Sequence, residues 1–179
     1  MGIRGSATYE LIFEDCKIPK KNLIGELGRG FKTALSTLDG GRISVAAQAV
    51  GIAQGAIDCC KKYVTEHTLN DKRISQYQYT QFQLANMQTK TDAARLLVHR
   101  AAQAKQDDEP YAHCASMAKL FASETAMEVT QKCIDLVGYD GISKKYPFER
   151  FMRDAKITEI YEGTSEVQRM VVSSWMGIK

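Results

Sequence analysis

Proline is scarce, with three in 179 residues, so little interrupts a long helix. No run of eighteen apolar residues occurs, the length a membrane-spanning helix needs, and no membrane span is expected. The first residues, Met1-Gly2-Ile3-Arg4-Gly5-Ser6, lack the apolar stretch of a signal peptide. Charge of one sign is also lacking. Against 24 Lys and Arg stand 21 Asp and Glu, a net charge of +3 mixed along the chain. That is too small a bias to point to nucleic acid or an anionic membrane surface. The five cysteines, Cys16, Cys59, Cys60, Cys114 and Cys133, are odd in number and include no C-x-x-C pair. They read as free thiols in a reducing compartment rather than a disulfide framework or a metal site. There is no internal repeat and no low-complexity stretch.

What is present is an ordinary globular balance, 44% hydrophobic and 25% charged, enough for one good core. Thr8 to Glu14 alternates, with Tyr9, Leu11 and Phe13 on one side, and predicts one strand ended by Lys17-Ile18-Pro19. A lone strand has no hydrogen-bonding partner, and no second strand follows, so the chain reads as the tail of a larger protein cut inside a β domain. The remainder is helical. From about Gly30 to His67, Val45, Ala49, Ile52, Ala53, Ala56, Ile57, Cys60 and Val64 fall at helical spacing. From about Ser75 to Gln106, Leu84, Met87, Thr91, Ala94, Val98 and Ala101 step by three and four. A third helix starts near Pro110, behind Asp107, Asp108 and Glu109, and ends around Gly138. After a loop from Tyr139 to Tyr146, Pro147 opens a shorter helix to about Glu159, and a last one runs from Ser165 toward Trp175. The expected fold is all-α, an up-and-down helical bundle over residues 27–179, preceded at 1–26 by the remnant of a β domain and a linker.

One carboxylate stands out. Glu162 lies between apolar Ile160-Tyr161 and the flexible Gly163, where a helix begins, and Ser165 and Gln168 have the spacing of a capping box. Held there and partly desolvated, it would suit the removal of a proton from carbon; by pattern alone, a solvated Glu ahead of an ordinary capped helix is the commoner case. Gly40 and Gly41 interrupt a helical pattern, at about 1 kcal/mol each relative to Ala. Either a group packs against bare backbone there, between Asp39 and Arg42, or the helix kinks. Gly51 and Gly55 are expected to let two helices approach. His99 and His113 read as surface or packing residues, Trp175 as a packing or interface anchor, and Lys144-Lys145 as a solvated loop.

Together these strings resemble the C-terminal half of the acyl-CoA dehydrogenases, especially the short-chain and butyryl-type members. The strings that carry the resemblance are Gly2 to Ser6, Leu11 to Pro19, Asn22 to Lys32, Thr37-Leu38-Asp39-Gly40-Gly41-Arg42-Ile43, and above all Arg153-Asp154-Ala155-Lys156-Ile157-Thr158-Glu159-Ile160-Tyr161-Glu162-Gly163-Thr164-Ser165-Glu166. The resemblance implies oxidation of an acyl-CoA to the 2-enoyl-CoA. Glu162 takes the α-proton while the β-hydrogen leaves as hydride to FAD. Some branches of the family place the base just before the Arg of the first long helix; here that position is Gly41, which leaves Glu162. Asp39, Arg42 and Gly163 match substrate-site positions. Tyr77, Gln78, Thr164 and Glu166 match flavin-contacting ones, and a helix N-terminus suits polar or anionic groups. In the family the thioester carbonyl is polarised by the backbone N–H of the Glu and by the flavin ribityl chain. No metal is implied.

Departures from the family pattern cluster on the flavin side. Where the family has Arg-x-x-Phe-Gly, reaching the FAD pyrophosphate of a neighbouring subunit, this chain has His67-Thr68-Leu69-Asn70-Asp71. A fixed positive charge is lost and a negative one gained. Gln-x-x-Gly-Gly becomes Asp135-Leu136-Val137-Gly138-Tyr139. An active dehydrogenase with weakened FAD binding and a non-catalytic helical paralogue that oligomerises or binds acyl-CoA both fit these changes, and so does an oxidase that passes electrons to oxygen. The resemblance further implies an electron-transferring flavoprotein as partner and assembly into a homodimer or homotetramer. It places the protein in a bacterial cytoplasm or a mitochondrial matrix, and implies that the 179-residue piece alone does not catalyse.

Overall fold

A computed structural model describes residues 1–178. Among them are six α-helices and one two-stranded hairpin. The longest helix, α1, spans Gly30–Glu66. It ends where His67 turns extended, and the chain folds into a hairpin of β1 (Thr68–Leu69) and β2 (Lys72–Arg73). The pairing is antiparallel, Thr68 with Arg73 and Leu69 with Lys72. The two turn residues, Asn70 and Asp71, have φ of 49° and 61°. That is the left-handed pair a tight two-residue hairpin turn requires, and Asn and Asp tolerate it. Sequence reading saw no strand here because each is two residues long.

Helix α2 follows at Gln78–Gln106 and α3 at Ala112–Val137. Gly138, at φ 71°, closes α3 as its C-terminal glycine. The segment expected as a loop after it begins with a one-turn helix, α4 (Tyr139–Ile142). Then come α5 (Phe148–Lys156), which tightens into a 3-10 turn at Ile157–Glu159, and α6 (Ser165–Trp175).

Helix α3 is the centre of the bundle, packed by α1, α2, α5 and α6. Its facing surfaces with α1 are made of small side chains: Ala46, Ala49, Ala53 and Ala56 on one, Ala115, Ala118, Ala122 and Ala126 on the other, all buried. Such residues contribute little transfer energy each but let two backbones pack closely. Larger anchors close the ends. Val64, Val129 and Phe148 are almost wholly buried, and each stabilises by roughly 1.5–3 kcal/mol. Helix α1 contains an 18-residue window of mean hydropathy 1.3, long and apolar enough by composition to cross a membrane. In the bundle its apolar stripe is the face that packs on α3.

Two expectations fail. Residues 8–14 form no strand, and Tyr9, Leu11, Ile12 and Phe13 are exposed; with no partner strand to accept their hydrogen bonds, alternation alone does not make one. Gly51 and Gly55 do not mark a close helix crossing. Nothing lies within 4 Å of a side chain built at Gly51, and Gly55 meets only the Phe151 ring at an ordinary 3.5 Å.

Candidate active site

The turn between α5 and α6 delivers Glu162 into the bundle. Glu162 and Gly163 have φ of 55° and 95°, so two consecutive residues are left-handed. For the Glu this costs about 1–2 kcal/mol, and the surroundings hold it there. Tyr161 reaches across to α1, where its hydroxyl donates to Gln48, and burial pushes that phenol upward from its ordinary pKa. Gln168, wholly buried on α6, points its amide back into the turn and donates to the carbonyls of Gly163 (2.8 Å) and Glu162 (3.2 Å). The capping box is therefore not formed as expected. Thr164 caps α6 by accepting from the Val167 N–H at 3.5 Å, and Gln168 is spent on the turn.

The Glu162 carboxylate lies against the bare backbone of α1. A Cβ built on Gly41 would stand 2.6 Å from Glu162 Oε2 and 2.9 Å from Cδ. Of the two readings of the glycine pair, the packed one holds at Gly41. At Gly40 the Lys105 ammonium takes the same space, 2.8 Å from a built Cβ. Glu162 Oε2 is buried with no hydrogen-bond partner, and among the described residues no acceptor pairs with the Glu162 N–H. A buried carboxylate oxygen and a backbone donor are thus both unspent on the same residue.

The next residue of α1, Arg42, is buried, its Nη1 donating to Asp39 Oδ1 at 2.7 Å and to Ser116 Oγ at 3.3 Å, with Nε unpartnered. Asp39 lines a cavity of about 500 Å³ with Tyr111, His113 and Trp175, the last two rings stacked 4.4 Å apart. Below the turn stands Lys119 of α3, which sequence reading did not single out. It is fully buried, and its ammonium donates to the Gly163 carbonyl at 2.6 Å. Burial, together with the Arg42 charge, depresses its pKa to about 8 against the opposing pull of Glu159, Glu162 and Glu166. The one available signal was its place on the buried stripe of α3 between Ala115 and Ala122.

The structure brings Asp39, Gly41, Arg42, Glu162 and Gly163 together, with Thr164 and Glu166 beside them at the α6 N-terminus. It does not bring in Tyr77 and Gln78. Tyr77 donates its hydroxyl to Leu69 O at 2.6 Å in the hairpin, and Gln78 is the exposed first residue of α2. The 25-residue separation of Gly41 from Glu66 along α1 puts that end about 38 Å away.

A family model for the acyl-CoA dehydrogenase C-terminal domain matches residues 28–177. The chain belongs to the acyl-CoA dehydrogenase family. It is 49% identical over 173 residues to the mitochondrial short-chain specific acyl-CoA dehydrogenase of Mus musculus, covering 97% of this chain and 42% of that protein. It is 52% identical, over 97% of this chain and 44% of the other, to the acryloyl-CoA reductase (NADH) of Anaerotignum propionicum. In three dimensions it matches the butyryl-CoA dehydrogenase of Megasphaera elsdenii with a TM-score of 0.90 and 47% identity, over 92% of this chain and 43% of that one. The chain therefore spans less than half the length of these relatives.

Within this acyl-CoA dehydrogenase domain the α6 end fits the polar part of a flavin. A cavity of about 350 Å³ opens there, walled by Thr164, Ser165 and Glu166 and by two ion pairs, Lys156 with Glu159 and Arg169 with Glu124. Ser165 Oγ is buried beside it without a partner, and the helix N-terminus adds oriented N–H groups. Its own backbone N–H and the Thr164 hydroxyl hold the Glu166 carboxylate below the ordinary range. The hairpin end fits a diphosphate poorly. His67 is not directed outward: its ring stacks on Tyr63 at 3.8 Å, its Nδ1 faces Tyr63 O at 2.9 Å, and its Nε2 faces the Tyr146 hydroxyl at 3.3 Å.

Proposed function

We propose that this chain is the C-terminal domain, residues 27–179, of a flavin-dependent acyl-CoA dehydrogenase that oxidises short acyl-CoA thioesters to 2-enoyl-CoA. The observation that carries the reading is the placement of Glu162: a carboxylate oxygen buried against Gly41 without a partner, on a left-handed turn whose own N–H is free. A substrate α-carbon beside it loses its proton to the carboxylate, and the Glu162 N–H donates to the thioester oxygen as enolate charge develops. FAD, when bound, would supply the hydride acceptor for the β-hydrogen. Thr164, Glu166 and Ser165 hold the cofactor's polar edge, Asp39 and Arg42 shape the substrate wall, and Gly163 leaves room for the thioester. Tyr77 and Gln78, about 38 Å off along α1, serve the flavin of a neighbouring copy, which favours a homodimer or homotetramer. An electron-transferring flavoprotein would be the electron acceptor.

The reading is tested on the full-length protein. Anaerobic addition of butyryl-CoA should bleach the flavin absorbance, and Glu162→Gln should lower the bleaching rate by at least about a thousandfold while the flavin stays bound. Retained bleaching in that variant removes Glu162 from the role. A full-length protein that binds no flavin points to the non-catalytic paralogue, and peroxide formed under air points to an oxidase. Enoyl-CoA formation by the 179-residue piece alone with added FAD contradicts the expectation that it is inactive by itself.

A further inference from the structure

We infer that Lys119 is a positioning residue for the base, its buried ammonium clamping the Gly163 carbonyl so that the left-handed Glu162–Gly163 turn holds the carboxylate on Gly41. The inference rests on Glu162 being the base. Beside the Tyr161–Gln48 bond, the two left-handed residues have two anchors of their own on their carbonyls, both from wholly buried side chains: Lys119 Nζ to Gly163 O at 2.6 Å, and Gln168 Nε2 to Gly163 O at 2.8 Å and Glu162 O at 3.2 Å. Gln168 is local, five residues from Gly163, whereas Lys119 joins the turn to α3 across 44 residues of chain. It is the direct hydrogen bond between this turn and the centre of the bundle.

The chemistry of Lys119 argues against a purely structural part. An ammonium taken wholly out of water is costly, and the usual remedy is a carboxylate partner. The nearby Glu159 is committed instead to Lys156 at 2.5 Å. The charge of Lys119 is directed at a backbone carbonyl, where a charge-assisted bond is stronger and more directional than a neutral one. An apolar side chain would fill the space at lower cost but would release the carbonyl. The Glu162 carboxylate, which has no anchor of its own, would then be free to follow the loosened turn.

The test uses the full-length protein and two variants. Lys119→Met removes the donor at similar length, and Lys119→Arg restores a cation. Expected for Lys119→Met is a kcat lowered ten- to a hundredfold with KM for butyryl-CoA changed by less than about threefold, faster amide exchange at residues 160–164, and an unchanged melting temperature or a higher one. Lys119→Arg should recover part of the kcat. A Lys119→Met kcat within twofold of the unmodified protein overturns the inference. A second measurement does not depend on the variants folding. With 15N-lysine and 13C′-glycine labels, the Lys119 ammonium should show slow proton exchange and a coupling across the hydrogen bond to the Gly163 carbonyl. A freely exchanging Nζ without that coupling overturns it. If the unmodified protein oxidises no acyl-CoA, the functional reading fails at that point, while the exchange and coupling data still decide what holds the turn.

Discussion

Gly41 is the residue at which packing and chemistry meet. Its missing side chain is the space the Glu162 carboxylate fills, so Gly41→Ala sets two effects against each other. Within α1 an alanine raises helix stability by about 1 kcal/mol, and the far end of a Glu side chain can swing aside cheaply. The expected result is a protein of equal or higher melting temperature whose kcat falls at least about tenfold, read by calorimetry and by the butyryl-CoA assay together. A variant with unchanged kcat sinks the close packing of base on helix. Lys119 gives a second prediction, in pH. Its folded pKa of about 8 lies below its ordinary 10.5. Below pH 8 both folded and unfolded states hold the proton and the burial cost is carried in full. Between about 8 and 10 the folded state loses it first, so stability rises, by on the order of 2 kcal/mol. Arg42, Glu159, Glu162 and Glu166 are the charged groups that face the ammonium. Burial raises the Cys59 thiol, the Cys60 contact and burial raise the Cys133 thiol, and burial with the Asp140 hydrogen bond raises Tyr63 to about 12; the thiols pull stability down above about pH 8.5 and the phenol above about pH 10, with or without Lys119. In denaturation measured from pH 7 to 10, the stability of the unmodified chain relative to Lys119→Met should therefore climb by on the order of 2 kcal/mol; a constant difference would mean that Lys119 keeps its ordinary pKa. Glu162 was legible in the sequence because it sits inside a long distinctive string. Lys119 was not, because its meaning comes from a contact 44 residues away and from burial, which a residue name does not show.

At the scale of elements, the long helices were readable to within a few residues, since α1, α2 and α3 each bury a stripe of recurring positions. What was misread was short or needed a partner. The alternation at residues 8–14 finds no neighbouring strand, the hairpin at Thr68 to Arg73 is shorter than any periodicity test, and the α6 cap falls one residue earlier than its spacing implied. The contact that holds the site in register is the alanine-lined face between α1 and α3, because Gly41 rides on one helix and Lys119 on the other. Ala122, almost wholly buried there, has no room for a larger side chain. Ala122→Leu should destabilise by about 1–3 kcal/mol, seen as a lower denaturation midpoint. Because it pushes the helices apart, it should also lower kcat more than the equal loss of stability from Val129→Ala does. Equal effects on kcat would mean that the helix spacing does not set the site.

For the whole molecule, the two ends of the domain proposed to face flavin lie too far apart to meet on one cofactor within one chain. The α6 end carries Glu162, the proposed base, a buried unpaired hydroxyl, and a cavity where Lys156 pairs with Glu159 and Arg169 with Glu124. The hairpin end carries His67 turned inward on Tyr63 and an Asp at a left-handed turn position, with Arg73 held by the Thr65 carbonyl and Lys72 over the Tyr77 ring. If assembly presents the second end to the neighbour's FAD diphosphate, the missing cation and the added carboxylate both weaken binding there, while the chemistry at Glu162 is untouched. Restoring the pattern tests this directly. In His67→Arg, Asp71→Gly the glycine accepts the left-handed turn without strain, and the Arg gains a fixed charge able to bind phosphate bidentately. Two favourable charge changes at a partly exposed diphosphate amount to about 1–3 kcal/mol, or roughly a ten- to hundredfold lower dissociation constant for FAD. The change should show in fluorescence titration of the full-length apoprotein and shrink as salt is raised, because it is electrostatic. kcat at saturating FAD should stay the same. An unchanged affinity would mean that the hairpin end does not face a flavin in this protein's assembly, and the case for a cofactor shared between copies would fall with it.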